Sequence, residues 1–453
     1  MLFRRRRADL IADPPGRALL LFAFPIFLGN LFQQFYNMVD SITVGKFVSQ
    51  AALASVGASY AITNVFIAVA IGGGIGSAVI ISQYFGAGQI GKMKTSVYTA
   101  LLNFLVVGVA LGAIGMICCP RLLAALHTPA AVFHDAEVYL RIYFWGLPFL
   151  FLYNVESAIF NSLGDSETPL MLLIFSSLLN IGLDLLFVVA FGLGVAGVAV
   201  ATLIAQGLSA VLSFAVLLKK LRGFSPDAVL ASIYSGGISL RMLAVAVPSV
   251  IQQAIVNVGM LLVQSVVNSF GEEALAGYSA GMRYEAIGIV PMNAVGNAVS
   301  TFTAQNIGAG NLQRVKEGYR ASYRILFCCA AAICAAYQLF AAPLLSAFLD
   351  ADAGSAAFAT GLEYLRFISF FFVLIGLKMA TDGLLRGAGD VGVFTIANLV
   401  NLGIRVWFAF RFAPLLGIKA VWIAVPVGWA ANYLISFCWV LTGRWSRKRV
   451  IGK

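Results

Sequence analysis

The chain has 453 residues, of which 60% are apolar and 11% charged, with a net charge of +11 and a mean hydropathy of +0.92. Soluble globular chains carry about 25% charged residues, so too little polar surface is present to keep this apolar mass in water, and an all-α integral membrane protein is expected. The basic residues cluster at the ends of apolar segments, Arg4 to Arg7 before the first and Arg444 to Lys453 after the last, where they meet lipid headgroups and not nucleic acid.

Reading Gly, Pro and charge as breakers leaves twelve segments near the ~20 residues that span a bilayer. The first, 18–44, follows Arg4 to Arg7 as a secretory leader would. It runs on without a small-residue cleavage pattern, so it reads as a helix. It holds Pro25, a face of Asn30, Gln33, Gln34, Asn37 and Ser41, and then Asp40. The second, 52–82, contains Gly72, Gly73, Gly74 and Gly76, which suit close helix packing or a bend. The third and fourth, 95–119 and 131–160, flank a loop assigned His127 and His134, and the fourth carries Asn154 and Glu156 near its end. The fifth and sixth, 168–191 and 195–218, supply Asn180, Asp184 and Thr202.

Lys219, Lys220, Arg222, Pro226, Gly236 and Gly237 then mark a polar linker. It divides the chain into 1–218, a linker 219–238, and 239–453. The second half opens with 239–268, which has Pro248 and a face of Gln253, Asn257, Gln264 and Asn268. It continues with 273–304, holding Arg283 and Glu285, then 318–342. In 357–385, Lys378 and Asp382 stand four apart and read as an intrahelical pair, the alternative being Asp382 in a substrate cavity. Segments 391–412 and 416–442 complete the set. Cys118, Cys119, Cys328, Cys329, Cys334 and Cys438 lie in apolar stretches without metal-type spacing, as small buried hydrophobes would.

The Lys/Arg distribution orients the spans. The tails hold five each, 86–94 two, 219–241 four, 308–324 four, and Arg386 adds one; the opposite loops have Lys46, Arg121, Arg411 and Lys419. Both termini are therefore expected in the cytoplasm.

The halves repeat at an offset near 222 residues. Gln83 to Gly88 with Lys94 matches Gln305 to Gly310 with Lys316, and Pro25 matches Pro248. Tyr139-Leu140-Arg141 matches Tyr364-Leu365-Arg366, Gly164-Asp165 matches Gly389-Asp390, and Asn180 matches Asn401. Six helices per half give both the same orientation, hence two lobes related by a parallel pseudo-two-fold axis. The turn glycines read as chain reversals.

These paired Gln-x-x-Gly-Ala-Gly turns, with Leu163 to Pro169, Leu385 to Asp390 and Leu31 to Asp40 after Pro25, resemble the multidrug and toxic compound extrusion (MATE) family over nearly the whole chain. The resemblance implies a two-lobed antiporter of the cell membrane that exports organic, often cationic, compounds against inward H+ or Na+. The NorM-like branch carries coupling acids in helices seven and ten. Here 239–268 has no acid, and Ile375 stands about where the helix-ten aspartate would fall. The positions used by the DinF-like branch match Asp40, Asn180, Asp184 and Thr202, and less firmly Asn154. The resemblance thus implies an H+ or Na+ site in the first lobe, closer to the DinF-like branch.

Geometry is compatible. Asn180 and Asp184 share a helix face. At about 1.5 Å per residue, Asp40 lies roughly 33 Å and Asp184 roughly 24 Å from the inner end, and Thr202 roughly 10 Å from the outer end. Asn154 comes out deeper. The repeat sets Arg405 opposite Asp184, so a second cation site is not expected. A structural role for the two aspartates, neutral or hydrogen-bonded between helices, is the alternative. The amide faces (Gln33, Gln34 and Asn37; Gln253 and Asn257) suit either a substrate cavity or helix–helix bonding.

The expected protein is a monomeric exporter of small molecules in the bilayer, with no cofactor beyond the coupling ion. A flippase or exporter of a lipid-linked or other endogenous metabolite, and a lipid-modifying membrane enzyme, are the competing readings. The enzyme would need a polar cluster at one membrane face, and the sequence offers no His/Asp/Glu constellation there.

Overall fold

The computed structural model describes residues 8–47, 50–224, 232–349, 355–447 and 450–451, apart from the side chains of 37–53. Its helices are α1 (Pro15–Phe47), α2 (Gln50–Gly86), α3 (Ile90–Ala125), α4 (Ala130–Ser162), α5 (Glu167–Asp184), α6 (Gly194–Gly223) and α7 (Gly236–Asn268). They continue with α8 (Glu272–Gly308), α9 (Leu312–Leu345), α10 (Ala356–Ser369), α11 (Phe372–Ala388), α12 (Val391–Leu416) and α13 (Lys419–Leu441). Among the described residues, 10 helices are long and apolar enough to cross a membrane, and the α10–α11 pair, bent by 53°, makes up to 11. Helix α8 is long but carries Glu272, Glu273, Arg283 and Glu285.

The tenth expected segment, 357–385, is thus broken in two. The cause is side-chain competition for the helix ladder. Ser369 Oγ donates to the Arg366 carbonyl (2.8 Å), and Gln338 Nε2 of α9 donates to the same carbonyl and to Ser369 Oγ, both at 2.8 Å. Such insertions bend helices. His134 also departs from expectation, since it lies within the first turns of α4 and not in the preceding loop. Of the cysteines expected to be buried, Cys119 is, Cys118, Cys329 and Cys334 are half-buried, and Cys328 and Cys438 are exposed.

The chain forms two compact units, 28–250 and 1–27 with 251–453. The boundaries fall inside α1 and α7, just after Pro25 and Pro248.

In the 28–250 unit, α4 packs against α2, α3 and α6, burying Leu147, Phe151, Val155, Ile159 and Phe160. The first part of α7 lies on the glycines of α2. A Cβ added at Gly72 would come within 2.7 Å of Val250 Cγ2, and one at Gly76 within 2.8 Å of Ala246 Cβ. Arg241 donates to the Tyr84 hydroxyl (3.1 Å) and Asn103 to Ser239 Oγ (3.0 Å). At the α4–α5 turn, Asp165 accepts from Thr168 N–H (3.1 Å) and O–H (2.9 Å) and pairs with Lys220 of α6. Burial pushes the Asp165 carboxyl up, but Lys220 and Thr168 together outweigh it and hold it below the usual aspartate range.

In the other unit, α8 packs against α9, α10 and α11, and α13 against α11 and α12. The segment before α1 is fastened here: the Leu10 carbonyl accepts from Asn306 Nδ2 (3.0 Å) and Arg314 Nη2 (3.3 Å). Gly88 and Gly310 have φ of 68° and 77°, and Gly164 and Gly389 have 77° and 80°, so left-handed turns recur at matched positions.

Candidate functional site

Asn180 and Asp184 sit one turn apart at the end of α5, 2% and 1% exposed. Immediately after Asp184 the chain widens into a π-helical segment, Leu185–Ala190, a feature often found at functional sites. The Asn180 amide is assigned by its hydrogen bonds. Its Nδ2 lies 2.5 Å from the Tyr36 hydroxyl of α1 and donates to Asp184 Oδ2 at 3.2 Å, while Oδ1 accepts from the Thr202 N–H of α6 at 3.1 Å. The Thr202 hydroxyl is 3.4 Å from the same end of the amide. Three helices therefore converge on one side chain, all within the 28–250 unit.

The group offers oxygen ligands, a carboxylate, an amide carbonyl, a hydroxyl and a phenol. Hard oxygens suit a hard cation, and a single described carboxylate suits a monovalent one or a proton. Among the described residues, no group of three or more His, Cys, Asp or Glu is placed to hold a metal. A small cavity adjoins Thr202, lined by Tyr139, Tyr143, Gly146, Ala199, Leu203 and Gln206.

Of the residues expected here, Asn180, Asp184 and Thr202 are brought together. Asp40 and Asn37 lie on the α1 backbone, but their side chains fall outside the described residues. Asn154 does not join the group: its Nδ2 turns back to the Leu150 carbonyl of its own helix (2.8 Å). Tyr36 was missed, although it stands one turn before Asp40. Gln33 and Gln253 are half-buried, and Gln34 and Asn257 exposed. On the same α7 face, Gln264 bonds Asn268 at 3.0 Å.

The other unit has its own polar centre. Lys378 and Asp382 of α11 form a buried ion pair (2.9 Å), and Asn398 of α12 joins both, accepting from Lys378 at 2.9 Å and donating to Asp382 at 3.4 Å. Beside it, the hydroxyls of Tyr319 and Tyr323 meet Thr381 Oγ1 at 2.7 and 3.1 Å, and Tyr323 reaches Tyr433 at 3.3 Å. Arg283 stacks on Phe348, and buried Glu285 accepts from Tyr364. Arg405, the counterpart of Asp184, packs beside Gly428 and Asn401.

The MatE family model matches twice, over residues 25–186 and 248–410. The chain is 30% identical to the probable multidrug resistance protein YpnP of Bacillus subtilis, over 96% of each. It is 23% identical to the probable multidrug resistance protein NorM of Thermotoga maritima, over 96% of this chain and 94% of that one. The structure of a multidrug resistance MATE family transporter of the MOP superfamily, in an outward-facing conformation, superposes with a TM-score of 0.89 at 25% identity, covering 98% of each chain.

Proposed function

Since the chain belongs to the MatE family of multi-pass membrane transporters, we propose that it is a secondary antiporter, exporting amphipathic, cationic small molecules in exchange for H+ or Na+. The observation that carries this reading is the Asn180 amide, which ties Asp184, Thr202 and Tyr36 into one buried oxygen-rich group. A carboxylate at that depth in a span is expensive unless it serves a purpose, and binding a driving cation or proton is such a purpose. Asp40, on the same helix as Tyr36, is assigned to the same site. So the driving ion binds within the 28–250 unit, in the manner of the DinF-like branch.

In this reading α8 is the remaining span, with Glu272 and Glu273 exposed in its first turn and the buried Glu285 bonded by Tyr364, and α10 with α11 counts as one. That gives twelve spans in two six-helix lobes with a parallel repeat, which the double match of one family model supports. Both termini are cytoplasmic in the cell membrane, 219–238 is the linker between lobes, and the protein works as a monomer by alternating access. Gln33, Gln34, Asn37, Gln253 and Asn257 are assigned to the substrate, with Asp382 held by Lys378. One observation favours export of an anionic endogenous metabolite instead: α11 bears Lys378 and Arg386 but only Asp382 between them.

Purified protein in liposomes decides. Export of a fluorescent cation driven by an imposed H+ or Na+ gradient is expected, and transport indifferent to both gradients would reject antiport.

A further inference from the structure

Besides Asp184 and the Lys220-paired Asp165, the 28–250 unit holds a third buried acid. Glu156, near the end of α4, is 0% exposed, and both its carboxylate oxygens are buried without a hydrogen-bond donor. Ser213 of α6 is its polar neighbour. Ser213 and Ser209, one turn apart and also fully buried, make no hydrogen bond of accepted geometry.

The surrounding charges are engaged elsewhere. Helix α2 has no Asp, Glu, Lys or Arg. On α3, Lys94 bonds the Phe224 carbonyl (2.7 Å), Lys92 lies over the Tyr84 ring, and Arg121 is at the far end. On α5, Glu167 and Asp184 occupy the two ends. On α6, Lys220 pairs with Asp165, and Lys219 and Arg222 lie in the same last turns. Tyr153, on α4 itself, is the titratable group that feels Glu156. An anionic carboxylate so placed is strongly disfavoured by lost hydration. A carboxyl that has taken up a proton avoids that cost, and its O–H can donate to a serine hydroxyl.

Helix α6 also links this place to the first site. Thr202, Gln206, Ser209, Ser213 and Lys220 recur on one helix face. Thr202, which bonds Asn180, lines the small cavity together with Gln206. Ser213 is roughly 17 Å along the helix from Thr202 at ~1.5 Å per residue, too far for one shared ion. Leu217, 0% exposed, fills the turn between Ser213 and the Lys220–Asp165 pair, so the polar face opens toward the cavity and closes toward the pair.

We propose that Glu156, with Ser209 and Ser213, is a proton-binding site separate from the Asn180–Asp184–Thr202 cluster. The proton comes from water at the Tyr139, Tyr143 and Gln206 cavity, resides on a Glu156 oxygen, and returns to water by the same hydroxyls. The binding stands by itself; its use in coupling rests on the antiport reading.

Infrared difference spectra of the purified protein across a pH jump read the protonated carboxyl directly. A carboxyl band is expected that Glu156→Gln removes, Asp184→Asn leaves in place, and Ser213→Ala shifts in midpoint pH. No such band, or a set of bands unchanged by Glu156→Gln, overturns the proposal. So does radioactive sodium binding that Glu156→Gln abolishes, because the site would then be a sodium site. If Glu156→Gln does not fold, an unshifted midpoint in folded Ser213→Ala overturns it equally. An intact band in a protein that shows no gradient-driven export would discard antiport and leave the proton site standing.

Discussion

Replacing Lys220 by Met keeps most of the side chain's length but removes the counter-charge of Asp165. In the ion pair the Asp165 side chain is 3% exposed and Lys220 14%, so solvent cannot replace the lost ammonium. Breaking a buried pair from one side costs about 3–5 kcal/mol. The two Thr168 donors remain, which places this case near 3 kcal/mol, between the hydrogen bonds kept and the charge lost. The pH dependence has a definite sign. The folded Asp165 carboxyl lies below its ordinary value of about 3.9, so the pair stabilises fully above that value and loses its contribution as pH falls through the folded one. In Lys220→Met the carboxyl takes up a proton at milder acidity, and the gap from wild type narrows as the medium is acidified. Thermal unfolding in detergent at several pH values measures both effects. The double variant Asp165→Asn with Lys220→Met should recover much of the loss. Equal stability of Lys220→Met and wild type at neutral pH, or a gap that widens in acid, would refute the reasoning.

Gly76→Ala should destabilise by about 1–3 kcal/mol through overpacking, because the new Cβ would lie 2.8 Å from Ala246 Cβ and 2.9 Å from its backbone nitrogen; unchanged unfolding would contradict it. Gly88→Ala meets no atom within 4 Å but forces φ of 68° on an L-residue, and should cost about 1–2 kcal/mol in the same assay. Asn398→Leu removes the side chain joining Lys378 and Asp382, and a loss of about 1–3 kcal/mol is expected. Arg405→Asp in an Asp184→Asn background should not restore gradient-driven export, because one carboxylate at Arg405 lacks the Thr202 and Tyr36 partners; restored export would overturn the single-site account.

The helices were legible because apolar runs and glycine or charge breaks follow directly from the bilayer. The turns at Gly88, Gly164, Gly310 and Gly389 were legible too, since each needs a positive φ that glycine adopts freely. Asn180 and Asp184 could be paired from helical spacing, and Thr202 only through the family resemblance. Tyr36 was not legible as a partner, since a tyrosine in an apolar run carries no polar signal until its hydroxyl has a neighbour. The break between α10 and α11 was hidden too, because Gln338 and Ser369 are distant in sequence and neither is a helix breaker. The local bond from Asn154 Nδ2 to the Leu150 carbonyl was not legible either, because the family position alone says nothing of how the amide is turned. Asn398 was missed because only packing brings α12 beside Lys378 and Asp382.

In the antiport reading the driving ion binds at the Asn180–Asp184–Thr202 group. Asp184→Asn keeps the shape of the side chain and removes its charge. Export of a fluorescent cation from liposomes under H+ or Na+ gradients, with purified-protein stability as the folding control, tests it directly. The variant is predicted to fold and to bind substrate but to lose gradient-driven export; export at the wild-type rate under both gradients would contradict the ion site.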